Sequence, residues 1–182
     1  MTERTTYLLV DGENIDATLG VSVLGRRPQP EERPRWNKLL HHAEMSWHQP
    51  VTGLFFLAVD DSLPSSFVQA LIAMGYKPIP LRGEGKIVDI AIQRTAEALE
   101  SRAADVMLVS HDKDFVPQME DLAADVERRT AIIGFREFMA ADLQDIPGIE
   151  FHDLEYDVAA FTSRLPRVRI IDIDEFDPLE FI

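Results

Sequence analysis

Short apolar runs alternate with segments of helical recurrence along most of the chain. Runs at residues 7–10, 51–59, 77–81, 106–109 and 129–134 predict strands, and 149–152 predicts a short sixth. Between them, Trp36, Leu39, Leu40, Ala43 and Trp47 recur at helical spacing and predict a helix over 36–47, closed off by Pro50. The same reading gives helices over 65–74, ended by Gly75, over 86–103, with Ile87, Ile90, Ala91, Ala98 and Leu99 in recurrence, and over 115–124. The stretch 20–34, with Gly25, Pro28, Pro30 and Pro34, predicts an irregular loop.

Strands alternating with helices at this spacing predict an α/β domain with a mostly parallel central sheet flanked by helices on both faces. The all-apolar run 7–10 suits a strand buried on both sides. A chain of 182 residues is long enough for one well-packed core. Its end is different in kind: Val168, Ile170, Ile171 and Ile173 give way to Asp172, Asp174, Glu175, Asp177 and Glu180, with Phe176, Leu179, Phe181 and Ile182 between them. The expected division is a domain over 1–160 and an acidic C-terminal extension over 161–182. That extension reads as an edge strand with a docking tail, for a protein partner or a second copy of the chain, or as a disordered tail.

Carboxylates recur where predicted strands end. Asp11 follows the first strand in Val10-Asp11-Gly12-Glu13-Asn14; Asp112 and Asp114 follow the fourth in Ser110-His111-Asp112-Lys113-Asp114; Asp89 opens the helix after the third. In open α/β sheets that carboxyl edge is where ligands bind, and such a set suggests a metal site. Taken singly, each acid has a plain structural role. Asp11 fits an Asp-Gly turn, Asp112 a helix cap, and Asp89 a favourable acid in a first helical turn. Asn14 either holds a water or substrate phosphate or caps a helix, Ser110 either lines the site or closes a turn, and Glu13 faces solvent or supports the site from outside.

Charge alters this picture only in part. Lys and Arg number 18 against 32 Asp and Glu, for a formal charge of −14, which opposes binding to a phosphate backbone over the molecule as a whole. Residues 1–136 carry a balance of −5 and residues 137–182 one of −9, so the acidity gathers near the carboxyl end. Arg82 and Lys86 flank the loop that leads to Asp89 and are the foremost candidates for phosphate contact. Arg26, Arg27, Arg33, Arg35 and Lys38 form a second basic group, whereas Arg128 and Arg129 read as ordinary surface charge. His41, His42 and His48 read as solvent-facing or capping, and Trp36 and Trp47 as core contacts, with base stacking the alternative for Trp36.

The absence of cysteine excludes a disulfide scaffold, a thiolate zinc site and a cysteine nucleophile. No glycine-rich dinucleotide fingerprint and no phosphate-cradling loop occurs. Asp11 with Glu13 matches a haloacid-dehalogenase pair only loosely. The amino terminus lacks the layout of a signal segment and no apolar run approaches membrane-spanning length, so a cytoplasmic location without membrane contact is expected.

Asp11-Gly12-Glu13-Asn14-Ile15, then Gly85-Lys86-Ile87-Val88-Asp89-Ile90, then Ser110-His111-Asp112-Lys113-Asp114-Phe115-Val116-Pro117 together resemble the NYN domain family of the PIN-like nuclease superfamily, over roughly residues 5–135. The resemblance implies a three-layer PIN-like fold and a Mg²⁺- or Mn²⁺-dependent ribonuclease. Its acidic cluster would be Asp11, Asp89, Asp112 and Asp114, with Asp11 and Asp112 the principal ligands and Asn14 beside them. Single-stranded RNA is the expected substrate, because a recessed cluster reaches an exposed backbone more readily than a duplex. The chain departs from the family where Gly85-Lys86-Ile87 replaces a Lys-Gly pair and where His111 stands in place of glycine. His111 then either donates to RNA or marks a domain that keeps the fold and RNA binding, or a protein-interaction role, without turnover.

Overall fold

The computed structural model describes residues 3–168 and 170–182. Six strands, β1 (Thr5–Asp11), β2 (Val51–Ala58), β3 (Lys77–Leu81), β4 (Ala104–Val109), β5 (Thr130–Gly134) and β6 (Glu150–Asp153), form one sheet in the order β3-β2-β1-β4-β5-β6. Every pairing in it is parallel, as continuous apolar strands covered on both faces require. β4 has all six residues buried.

Side-chain alternation divides the core. Leu8, Val10, Met107, Val109 and Ile133 face a layer built by α1 (Gly12–Ala17), α2 (Trp36–Trp47) and the chain after β6, where Leu154, Val158 and Leu165 pack. Leu9, Phe56, Leu108 and Ile132 face the opposite layer, made by α4 (Ile87–Leu99), α5 (Val116–Ala123) and the short α6 (Ala141–Gln144). Each such aliphatic side chain removed from water contributes roughly 1.5–3 kcal/mol. α3 (Ser65–Met74) leads into β3. At that edge Pro78 and Pro80 share one side of the strand and have no N–H to offer there, which blunts it against further pairing.

Several boundaries differ from the expected ones. The loop expected over 20–34 begins later, because α1 continues into π-helical turns over Thr18–Leu24, which Gly25 ends at φ 70°. Those turns bury Leu19 and Val23, so packing overrides the local glycine signal. α4 stops at Leu99, and α6 was not foreseen. Arg128 is not surface charge: its side chain is 2% exposed and donates to the carbonyls of Leu99 and Glu100 at the end of α4. Trp36 is core, buried edge-on against Phe55 with its carbonyl accepting from the Tyr76 hydroxyl. Among the described residues no helix is long and apolar enough to cross a membrane.

The strand order positions the site. The chain leaves β1 toward β2 and β3, then crosses back to β4 on the other side of β1. At this reversal the connections after β1 and β4 run to opposite faces and leave a crevice beyond the strands' carboxyl ends. Gly12 lets the start of α1 pack closely on the core, since a Cβ there would lie 2.6 Å from the buried Phe55 ring.

Candidate metal centre

Beyond β1 and β4 lies a cleft of ≈ 320 Å³ whose lining includes Asp11, Glu13, Asn14, Lys86, Asp89 and Asp112. The residues come from three elements. Asp11 ends β1, Asp89 projects from the first turn of α4, and Asp112 and Asp114 follow β4 in a turn that enters a 3-10 segment, Lys113–Phe115. Carboxylate oxygens of Asp89, Asp112 and Asp114 all lie within 4.8 Å of one another, so this triad can coordinate a metal ion.

Asp11 is adjacent to that triad but differently engaged. It is 3% exposed; Oδ1 accepts from the Asn14 N–H at 3.4 Å and Oδ2 from the Ser110 hydroxyl at 3.0 Å. Burial raises its carboxyl pKa to about 6 against those two bonds, with repulsion from Asp89 and Glu13 adding to the rise. The Asp89 carboxyl is also raised, first by burial and then by Asp112, with Lys86 opposing. Ser110, fully buried, links the two strand ends: it donates to Asp11 and accepts from the Asp112 N–H at 3.2 Å. The Asp112 Oδ1 in turn accepts from the Asp114 N–H at 2.9 Å. Its capping role and its membership of the triad therefore coexist.

Lys86 Nζ lies 2.8 Å from Asp114 Oδ2 and 4.0 Å from Asp89 Oδ2, and the hydrogen bond to Asp114 raises its pKa. Arg82 is exposed and outside the cleft lining. The second basic group is largely engaged nearby: Arg26 pairs with Glu32 at 2.6 Å, Arg33 approaches Asp16 at 3.9 Å, and Arg35 donates to the Thr162 hydroxyl. Glu13 accepts from the Ala58 N–H at 3.3 Å. His42 is half-buried rather than solvent-facing and faces His152, with ring nitrogens 2.9 Å apart.

His111 turns inward. It is 6% exposed, and burial lowers its pKa to about 4, so the ring is neutral. Its Nδ1 lies 2.9 Å from Asn14 Oδ1, and its Nε2 accepts from the Phe135 N–H at 2.8 Å. Phe135 was not a foreseeable participant, because its contribution is a backbone N–H that carries no side-chain signal. His111 is also not among the described non-glycine residues with positive φ, which are His48 and Ala159. The glycine usual at this turn is thus not demanded here by backbone conformation.

An open parallel sheet with three aspartates gathered at its reversal point defines a PIN-like α/β domain. The chain belongs to the NYN domain family, whose model matches residues 5–155. No curated protein matches the chain significantly. Among solved structures it is similar to a protein of unknown function from Vibrio parahaemolyticus, at 19% identity and a TM-score of 0.67, over 85% of this chain and 94% of that one. That likeness carries the fold.

The raised Asp11 carboxyl gives a stability prediction. Its folded pKa, about 6, lies above the ordinary aspartate value of 3.8, so its protonated form favours the folded state. The stabilisation is full below the lower value and is lost as pH rises through the upper one. Asp11→Asn, which removes the buried charge and keeps the shape, is expected to raise stability at pH 7.5 by on the order of 1–3 kcal/mol. The gain should fade by pH 4, and urea melts at the two pH values check it; an Asp11→Asn protein less stable at pH 7.5 would contradict it.

Proposed function

We propose that the protein is a metal-dependent ribonuclease that hydrolyses phosphodiester bonds of single-stranded RNA in the cytoplasm. The observation that carries the reading is the convergence of Asp89, Asp112 and Asp114 in an open cleft at the reversal point of the sheet. The donor set fits a hard divalent cation. It offers only oxygen ligands in an accessible cleft where water can complete coordination, which favours Mg²⁺ or Mn²⁺ over softer metals. The ammonium of Lys86 against two of the three acids marks the positive charge that the cluster demands.

When bound, the ion supplies charge neutralisation for phosphate oxygens and a more acidic water. The chain's residues do the rest. Asp89, Asp112 and Asp114 would hold the ion, and Asp112 Oδ1 keeps Asp114 in place by accepting from the Asp114 N–H. Asp11, with its pKa near neutrality, is suited to orient the attacking water and take up its proton. Lys86 and Arg82 bind RNA phosphates, with Asn14, Ser110 and His111 shaping the wall behind them. The exposed Ile170, Ile173, Leu179 and Ile182, interspersed with acids, suit a docking segment for a protein partner or second copy.

The test is direct. Purified protein should cleave unstructured single-stranded RNA in Mg²⁺ or Mn²⁺ and stop on chelation. RNA binding without cleavage across metals and sequences would support the binding-module alternative instead. A companion prediction concerns Lys86, whose ammonium occupies the region a cation would enter. Lys86→Met should bind Mn²⁺ about two- to fivefold more tightly by calorimetry, the scale of an exposed ion pair, while losing RNA affinity by fluorescence anisotropy. Unchanged values for both would remove Lys86 from the site.

A further inference from the structure

The identity of the Asn14 atom at His111 is fixed by the backbone: the His111 N–H can only donate, and it points at Oδ1 at 2.9 Å. Oδ1 can only accept, so the ring's Nδ1 carries the proton and donates to the same oxygen. Nε2 is then the acceptor that the Phe135 N–H needs, and Phe135 is fully buried. The imidazole also stacks on the Phe135 ring, with centroids 5.7 Å apart and planes 9° from parallel. Space for the ring comes from Gly134, where a Cβ would stand 2.6 Å from Nε2 and 2.8 Å from Cδ2.

We propose that His111 is a positioning residue: with Asn14, Phe135 and Gly134 it locks the turn carrying Asp112 and Asp114 to α1 and to the end of β5. The meaning of this lock for catalysis rests on the function proposed above. Three strand ends meet at this residue. β1 delivers Asn14 through α1, β4 delivers His111 itself, and β5 delivers Gly134 and Phe135. At a point where connections diverge, backbone hydrogen bonding between neighbouring strands has ended, and side chains must hold the separation. Glycine at position 111 would leave the Phe135 N–H without this acceptor in a buried place, a loss that buried donors bear poorly.

Hydrogen exchange on the metal-free full chain tests the lock without relying on activity. In His111→Ala, the amides of Asp112 and Asp114 should exchange about tenfold faster, while those in β1 and β4 keep their protection. Calorimetry should show Mn²⁺ affinity reduced about three- to tenfold. His111→Gln should restore most of both, since its amide can donate and accept and its reach approximates that of Nε2. If His111→Ala does not fold, Gly134→Ala, which leaves His111 in place but displaces its ring, should produce the same local loss of protection. Protection and affinity unchanged in a folded His111→Ala would overturn the proposal, as would acceleration spread evenly over the whole molecule. Wild-type protein that binds no Mn²⁺ would defeat the proposed function, while the exchange data still decide for or against the lock.

Discussion

Asp112→Asn should reduce RNA cleavage by on the order of 100-fold or more, the scale of losing metal-borne charge stabilisation. The fold should be unaffected. The substitution keeps Oδ1, which accepts from the Asp114 N–H, and removes only the charge that would face a cation. Asp112 also sits at the junction of two relays. Its N–H reaches Asp11 through Ser110, and its carboxylate lies with Asp89 and Asp114 in the triad. Time courses with labelled single-stranded RNA in Mn²⁺, alongside thermal melts of both proteins, read the effect. Cleavage persisting in Asp112→Asn at wild-type rate would assign the activity to another centre or a contaminant.

Much of this arrangement could be read from residue order because parallel sheets make periodicity and ligand position follow from the same geometry. Continuous apolar runs gave the strands, and acids following them fell at the carboxyl edge, where Asp11, Asp89, Asp112 and Asp114 now stand. Which acids converge was not readable. Asp11 and Asp112 were the expected principal ligands within the implied cluster of four, whereas the structure brings carboxylates of Asp89, Asp112 and Asp114 together and engages both Asp11 oxygens with Asn14 and Ser110. That distinction depends on side-chain direction at a strand end, which a one-dimensional pattern does not encode. The same holds for His111. Its partners are a side chain 97 positions earlier and a backbone amide 24 positions later, so its inward turn left no local trace. Arg128 misled for a related reason, since a charged residue that satisfies the carbonyls at the end of α4 looks in sequence like any exposed one.

Arg167→Met is expected to destabilise the protein by about 3–5 kcal/mol, the cost of breaking a buried charge network from one side. In sequence Arg167 stands near the start of an acidic segment; in the structure its side chain is 1% exposed. It pairs with Glu137 at 2.6 Å, Asp153 at 2.7 Å and Glu155 at 3.1 Å. Burial works against its charge, but hydrogen bonds to Asp153 and Glu137 prevail and raise its pKa. The partners respond in kind. Burial pushes the Asp153 and Glu137 carboxyls up, yet the Arg167 bonds carry both below their usual range. Their contribution is therefore present above the unfolded carboxyl pKa near 4 and is lost as pH falls through the depressed folded values. Methionine fills the stem's volume while leaving these carboxylates uncompensated, so the melting temperature should fall by roughly 10 °C near neutrality. The difference from wild type should narrow on acidification, as protonation removes the stranded charges. Arg167→Lys should lie between, because one ammonium cannot reproduce the guanidinium's simultaneous contacts. A melt of Arg167→Met within about 1 kcal/mol of wild type would mean that relaxation or water satisfies these acids without the arginine. The guanidinium also lies 4.9 Å from the centroid of the Phe135 ring that stacks on His111. Loss of Arg167 should accordingly raise hydrogen exchange at Phe135, just past β5, ahead of β5 itself, tying the C-terminal segment to the wall behind the acidic turn.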